Sequence, residues 1–469
     1  MSTTMTLPLF DKLPVPLGDP QAAQEPSVQD SLPDYTPRAA RVSQPVEERE
    51  FEYKVERKKG VAIASLKVLA PSAYSKSIPI FCGAGPVKGS VNLYLTEPET
   101  ITSVVLSVRG RFLPGHSDNM EEVTLFVISN TMWSKDSAEA TTSPSFSQKK
   151  LSGTYSWPFS ISIPEKVQFA EGSTSRSTPG TTEYILPQTY TERVLAASIK
   201  YEVILRIGRG KLKTDYEIPC TFGYIPLTRP PPFPALKTIA YQEGTPLLDP
   251  TVDVDGWASA KKVNISGTLF NSHPVAIECQ LFLSAPLAYT RGSVIPLYMR
   301  MHSSSRQALD LLSTHKAVIV RLQRIITYSL PMKSLKNTKN YTGKDERDLV
   351  EAVWWPAPSQ EQDASTSIVG MQTHTVCLNG EIHLKADLAP STTFPAFTVE
   401  YHVCMCSFDT PGFKMAKAEQ TLVKHPVDIV TSFAPGPRAV RHAPPGYDSE
   451  RPVKMEFGLA LSLGNAFVG

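Results

Sequence analysis

Three residues with metal-binding chemistry alternate late in the chain: His402, Cys404 and Cys406. Imidazole and thiolate are good zinc ligands, but they must converge on the ion at about 2.0–2.3 Å. Residues two apart on a strand stand roughly 6.6 Å apart. A regular strand would carry all three on one face without closing them around a metal, so no metal site is expected. Gly83-Ala84-Gly85-Pro86-Val87-Lys88-Gly89 approaches a dinucleotide-binding fingerprint, with its third glycine one residue late. It leads into a strand pattern, so no helix N-terminus would meet a phosphate. Lys88-Gly89-Ser90 has the wrong order for a P-loop. Gly115-His116-Ser117 begins like a nucleophile elbow, but Asn119 stands where the second glycine is needed. With no nucleophile–base set in view, neither an enzyme nor a cofactor is expected.

The motif with the clearest binding chemistry is Pro444-Pro445-Gly446-Tyr447. A polyproline II helix has three residues per turn, which puts Pro444 and Tyr447 on one side. WW domains stack such prolines on aromatic rings and take the tyrosine in a second groove. Pro444, Pro445 and Tyr447 are therefore the expected contacts. The flanks, Ala434-Pro435-Gly436-Pro437 and Asp448-Ser449-Glu450, suit an extended exposed chain. Chance is a real competitor: 41 prolines and 17 tyrosines in 469 residues give roughly 0.13 expected matches, and clustering of proline raises that. Leu32-Pro33-Asp34-Tyr35 has the related LPxY form in the other tail, with Leu32, Pro33 and Tyr35 as its contacts. Two such motifs would gain avidity on tandem WW domains if the span fits. The plain alternative is proline-rich disorder that happens to hold a tyrosine.

Other polar stretches have two readings each. Ser/Thr-rich segments at about 134–150 and 171–182 carry Ser143-Pro144 and Thr178-Pro179, candidate proline-directed phosphorylation sites. Solvated linker is the commoner role of such stretches. Arg206, Arg209, Lys211 and Lys213 form a basic hairpin tip. It would suit anionic lipid or phosphorylated segments, or it discourages strand pairing at an edge. Trp354 and Trp355 cannot both face one core from a strand.

These groups must be positioned by strands. In Pro86–Phe112, Val91, Leu93 and Leu95 share one face, with Asn92 on the other; Val104, Leu106 and Val108 then oppose Ser103, Ser107 and Arg109. Such period-two alternation marks sheets with one buried and one wet face. Thr96-Glu97-Pro98-Glu99 reads as the turn between the two strands. Phe51–Val55 and Val61–Leu69, joined by Lys58-Lys59-Gly60, suit a hairpin. Further strands are expected at 124–128, 151–163, 199–207 and 212–218. A second set is expected at 263–270, 277–283, 293–301, 317–328, 380–388 and 397–406. A helical turn or two is expected at 307–312, and a polar loop at about 331–370. The pattern of many short strands, twice over, argues for two β-sandwiches.

Length and composition agree. A chain of 469 residues suits two domains plus tails. Forty-one prolines favour loops and short strands over long helices. A net charge of +2 gives no global nucleic-acid signal. Met1 to Asp11 lacks a basic region followed by a long apolar run, so no secretory signal is expected, nor any spanning helix. The expectation is a cytoplasmic chain. Its six cysteines would be reduced and mostly buried, and the sequons at Asn264 and Asn340 unused.

The motif Pro86-Val87-x-Gly89-x-Val91-x-Leu93-x-Leu95, followed by Ile101-x-x-Val104-x-Leu106-x-Val108-x-Gly110, resembles the start of an arrestin N-domain. Gly153-x-Tyr155-x-Trp157-Pro158-Phe159-x-Ile161-x-Ile163-Pro164 and Ile199-x-Tyr201-x-Val203-x-Leu205-x-Ile207 resemble later strands of that domain. Phe394-Pro395-Ala396-Phe397-Thr398-Val399-Glu400-Tyr401 resembles a late C-domain strand. The chain is similar to alpha-arrestins, the arrestin-related trafficking adaptors, of fungal type, over about residues 50–430. The resemblance implies an all-β fold of two arrestin-like, immunoglobulin-type β-sandwich domains in tandem with disordered N- and C-terminal tails. The implied layout is a tail with LPxY at 1–47, an N-domain at 48–225, a Pro-rich linker at 226–238, a C-domain at 239–432 and a tail with PPxY at 433–469. It implies an intracellular adaptor linking cytosolic segments of membrane proteins to a WW-containing HECT ubiquitin ligase, for ubiquitination and endocytosis. It also implies peripheral contact with plasma membrane or endosomes, and no nucleic acid. The alternative is an arrestin-fold sorting scaffold without ligase recruitment. The buried charged network of classical arrestins has no visible match here.

Overall fold

Runs of alternating Val, Leu and Ile fold as strands over most of the chain, and the Pro, Gly and Ser clusters between them turn it. The computed structural model describes residues 47–447 apart from 58–59, 73, 115–120, 136–149, 170–181, 193–194, 196, 211–212, 332–339, 359–372, 409, 418–419 and 446. Leu32, Pro33 and Tyr35, both proline-directed sites, Lys211 and the Gly115–Asn119 segment lie outside the described residues.

The first sheet system holds β1 (Glu48–Glu56), β2 (Ala62–Pro71), β3 (Ile80–Cys82), β4 (Pro86–Glu99), β5 (Ile101–Pro114), β6 (Val123–Ser134), β7 (Leu151–Ser162), β8 (Lys166–Phe169), β9 (Thr182–Ile185), β10 (Tyr190–Thr191), β11 (Ala197–Arg209) and β12 (Tyr216–Ile225). One sheet runs β1-β2-β4-β7. The facing sheet runs β3-β12-β11-β5-β6, with β10 on β11, and β8-β9 form a ribbon. The expected hairpin is β1–β2, with Phe51 opposite Val68 and Tyr53 opposite Leu66.

After α1 (Ala235–Glu243), the second system follows with β13 (Trp257–Ser259), β14 (Val263–Leu269), β15 (His273–Ser284), β16 (Ala288–Thr290), β17 (Val294–Ser303), α2 (Arg306–Leu312), β18 (Val320–Pro331), β19 (Asn340–Glu351), β20 (Val353–Pro356), β21 (His374–His383), β22 (Thr392–Phe394), β23 (Phe397–Cys406), β24 (Phe413–Met415) and β25 (Thr421–Val430). Its sheets run β20-β21-β17-β15-β14-β24, with β13 on β15, and β16-β25-β23-β18-β19, with β22 on β23.

The two systems repeat one plan. The order β14-β15-β17-β21 mirrors β1-β2-β4-β7, and β16-β25-β23-β18-β19 mirrors β3-β12-β11-β5-β6. In both, the short edge strand pairs parallel, β3 with β12 and β16 with β25. A fully buried tyrosine recurs at the same place. Tyr201 on β11 donates to the Pro187 carbonyl at 2.5 Å, and Tyr401 on β23 donates to the Ala389 carbonyl at 2.7 Å. Burying a phenol needs such a partner. The fold is thus mostly β, built as two sandwich-like systems.

Several expectations are corrected. Residues 96–99 are no turn: β4 runs through Glu99 with an irregular register between Leu95 and Glu99, and β5 begins at Ile101 in the opposite sheet. Asn92 is not on a wet face. It is buried, donating from Nδ2 to Ser65 Oγ at 3.3 Å and accepting from Ser156 Oγ at 2.8 Å, a polar rung across three strands. The loop expected at 331–370 contains β19 and β20. Trp354 is fully buried and Trp355 half-buried, as one strand with two faces requires. The linker expected at 226–238 already contains the start of α1, which Gly244 ends in a left-handed cap at φ 69°. Its first residues are pinned, because Thr228 and Thr431 exchange backbone N–H to hydroxyl bonds at 2.9 and 3.1 Å. No helix among the described residues is long and apolar enough to cross a membrane.

Candidate functional site

The chain beyond β25 does not leave the body at residue 433. Residues 433–447 follow the second sheet system, held by particular contacts. Arg438 lies over the Phe433 ring, 4.6 Å from its centroid. The N–H of His442 donates to Glu381 Oε1 at 2.7 Å, and the N–H of Ala443 to Glu381 Oε2 at 3.4 Å. Glu381 sits on β21, between Pro296 of β17 and Val353 of β20, with its side chain only 3% exposed. A buried carboxylate needs donors, and the His383 Nε2, 3.0 Å from Oε2, is a further partner. Backbone donors from the tail thus help to satisfy a charge that the sheet buries.

The motif itself is folded back. The N–H of Tyr447 donates to the Pro444 carbonyl at 3.2 Å, closing a four-residue turn. The Tyr447 ring meets the edge of His315, centroids 5.6 Å apart and planes at 78°. His315 stands in the turns that follow α2, a short helix whose Ser305 side chain caps the Ala308 N–H at 3.2 Å. Pro444 and Tyr447 are half-buried and Pro445 is exposed. Within the tail expected at 433–469, the chain near the motif is tied to Glu381, some sixty positions away, through the N–H groups of His442 and Ala443.

The other sequence candidates do not assemble a reactive centre. On β23, Cys404 is buried while His402 and Cys406 are half-buried. Cys404 Sγ lies 3.8 Å from Gln323 Oε1 on β18, which also accepts from Lys424 Nζ at 2.8 Å, while Cys406 Sγ lies 4.0 Å from the Cys404 carbonyl on its own strand. Burial, with Lys424 nearby, pushes the His402 imidazole below its ordinary value. Among the described residues no group of three or more His, Cys, Asp or Glu could hold a metal. All six cysteines are free; Cys220, Cys279 and Cys404 are buried and the other three half-buried. Gly83–Gly89 leads into β4, so no helix meets that loop. At the basic tip the charges are engaged: Arg206 with Asp215 at 2.9 Å, Arg209 with Glu99, and Lys213 3.8 Å from Glu99.

Two features escaped sequence reading. A cleft of about 330 Å³ opens along β22, β23 and β25, with Glu400, His402 and Asp428 in its wall. A buried polar seam joins the two sheet systems. Arg324 grips Glu192, and Arg291 Nη1 donates to Gln188 Oε1 and to the Leu388 carbonyl, each at 3.1 Å. Phe112 and Tyr190 meet Phe397 beside it, with centroids 5.9 and 5.1 Å away. A signal for Arg324 was present. It occupies a core-parity position between Leu322 and Ile326, where a charge needs a partner. No family model matches this chain, and neither does any curated protein.

Proposed function

We propose that this chain is an arrestin-like adaptor that joins cytosolic segments of membrane proteins to a WW-containing HECT ubiquitin ligase. The observation that carries the reading is the Pro444-Pro445-Gly446-Tyr447 motif, set directly after a two-part β body. Proximity is the adaptor's contribution, and the ligase supplies the chemistry. The twofold repeat of one sheet plan supports the arrestin resemblance carried by the Pro86–Gly110 and Phe394–Tyr401 motifs. Leu32, Pro33 and Tyr35 would give a second, weaker WW contact, and the adaptor would work in the cytoplasm at plasma membrane or endosome surfaces.

The test is a pull-down of the full chain on isolated WW domains from a HECT ligase, beside Tyr447→Ala, Tyr35→Ala and the double variant. Binding that falls in each single variant and vanishes in the double supports the adaptor. Binding unchanged in the double variant overturns it. One observation favours a second reading, a sorting scaffold without a ligase: the motif is turned and lies against the body, with Tyr447 on His315.

A further inference from the structure

The turn at Pro444–Tyr447 and the extended form that a WW domain accepts exclude one another. A turn closed by the N–H of Tyr447 on the Pro444 carbonyl holds its end Cα atoms within about 7 Å. Polyproline II rises about 3.1 Å per residue, so the same three steps span about 9.3 Å, with no internal hydrogen bond. The ring that a WW groove would receive is already packed against His315. Two residues upstream of Pro444, the chain is tied to Glu381 by the N–H groups of His442 and Ala443. His442 Nε2 is buried as well.

From these contacts we infer that the second sheet system stows its own PPxY motif, with Glu381 as the latch and His315 as the seat of Tyr447, so that ligand capture requires the tail to be released. This inference rests on the WW reading above. The latch acts on the backbone, so it is indifferent to the side chains at 442 and 443. It fixes the approach to the motif without touching Pro445. The free energy of undocking is then subtracted from WW affinity: if the released tail is one-tenth populated, the apparent Kd rises about tenfold over that of the unrestrained segment. Any partner that occupies Glu381 or the turns after α2 in place of the tail would expose the motif.

The experiment compares WW-domain binding by the full chain with binding by a synthetic peptide of residues 436–452, and follows deuterium uptake of the 438–447 segment in the full chain. Glu381→Gln keeps the shape of the anchor and removes its charge. His315→Ala removes an exposed seat and leaves the fold intact. Stowage predicts that the full chain binds about tenfold or more weakly than the peptide. Each variant should recover part of that gap, with slowed exchange at 438–447 that Glu381→Gln partly relieves. Equal binding by wild-type chain and peptide overturns the latch and leaves the WW reading standing. A peptide that does not bind overturns the WW reading and with it the latch's purpose. Exchange at 438–447 as fast as in the free peptide overturns the docking itself, whatever the WW result.

Discussion

Arg324 holds Glu192 with both of its terminal nitrogens, Nη1 to Oε1 at 2.7 Å and Nη2 to Oε2 at 3.0 Å. The two side chains are 9% and 10% exposed, and they belong to different sheet systems. Asp345 adds a second carboxylate 3.5 Å from Arg324. Removing the cation strands Glu192 in a buried seam, while Asp345 keeps Arg347 at 3.0 Å. Arg324→Ala should therefore cost about 3–5 kcal/mol, whereas Arg324→Met with Glu192→Leu should recover most of it, because two apolar groups leave less unpaired charge. Urea unfolding midpoints at constant m-value check this. A double variant as unstable as the single one would show that packing, and not the unpaired charge, dominates.

A second buried cation makes a pH prediction. Lys237 on α1 is 2% exposed, and its Nζ donates to the Ala285 carbonyl at 2.5 Å. The rings of Phe233 and Tyr241 lie 4.8 and 5.7 Å from it. Burial brings the ammonium down to about 7, with Asp253 pulling the other way. The folded value is below the unfolded 10.5, so the unfolded chain binds more protons between those limits. Stability on this account rises with pH across that window, by at most about 1.4 kcal/mol per unit, and is flat below it. The difference in unfolding free energy between wild type and Lys237→Met should move steadily in favour of wild type from pH 6.5 through 8 to 9.5, the variant lacking the slope. Parallel curves would mean that the aromatic faces hold the charge and that burial does not depress it.

Gly89 has a steric reason that the sequence pattern alone does not supply. It lies on β4 between Val68 of β2 and Phe159 of β7. A Cβ there would stand 1.9 Å from the Lys67 carbonyl oxygen and 2.8 Å from Phe159 Cζ. The carbonyl is backbone and cannot rotate away, so Gly89→Ala must shift β4 off β2. We expect a loss of about 1–3 kcal/mol or more, the range for overpacking a tight site. Gly153→Ala is the control: nothing lies within 4 Å of its Cβ position, and its cost comes from φ +96° alone. Equal thermal shifts in the two would assign the effect at Gly89 to backbone freedom.

What could be read from the sequence follows from how each element is buried. Strands with one face in the core announce themselves, and β23 emerges with the expected bounds Phe397–Cys406. β19 is an edge strand of mixed polar composition, Asn340–Glu351, and carries no apolar period to detect. β25 is interrupted by Pro426, which lacks the N–H a strand uses, although β23 pairs with it there through His402. α1 is nine residues long and follows a proline run, too short for helical periodicity to stand out. The docked tail is the extreme case. Nothing in Arg441-His442-Ala443 signals contact, because the side chain that fixes it is Glu381, far away in sequence.

The thiols make the last prediction. Burial pushes Cys220 and Cys279 up to about 12, and Cys82 and Cys404 up to about 11. The thiolate is the reacting species, so at pH 8 fewer than about one in a hundred of these thiols is ionised while the fold holds. A disulfide reagent should modify these four slowly in the native chain and promptly in urea. The native rate of Cys220 and Cys279, fully enclosed, should track the opening of the fold. A zinc chelator should leave the Cys404 rate unchanged, because Cys404 faces Gln323 and not a convergent ligand set. Faster modification of Cys404 after chelation would instead place a metal on the His402–Cys406 face of β23, and slow labelling would then reflect coordination and not burial.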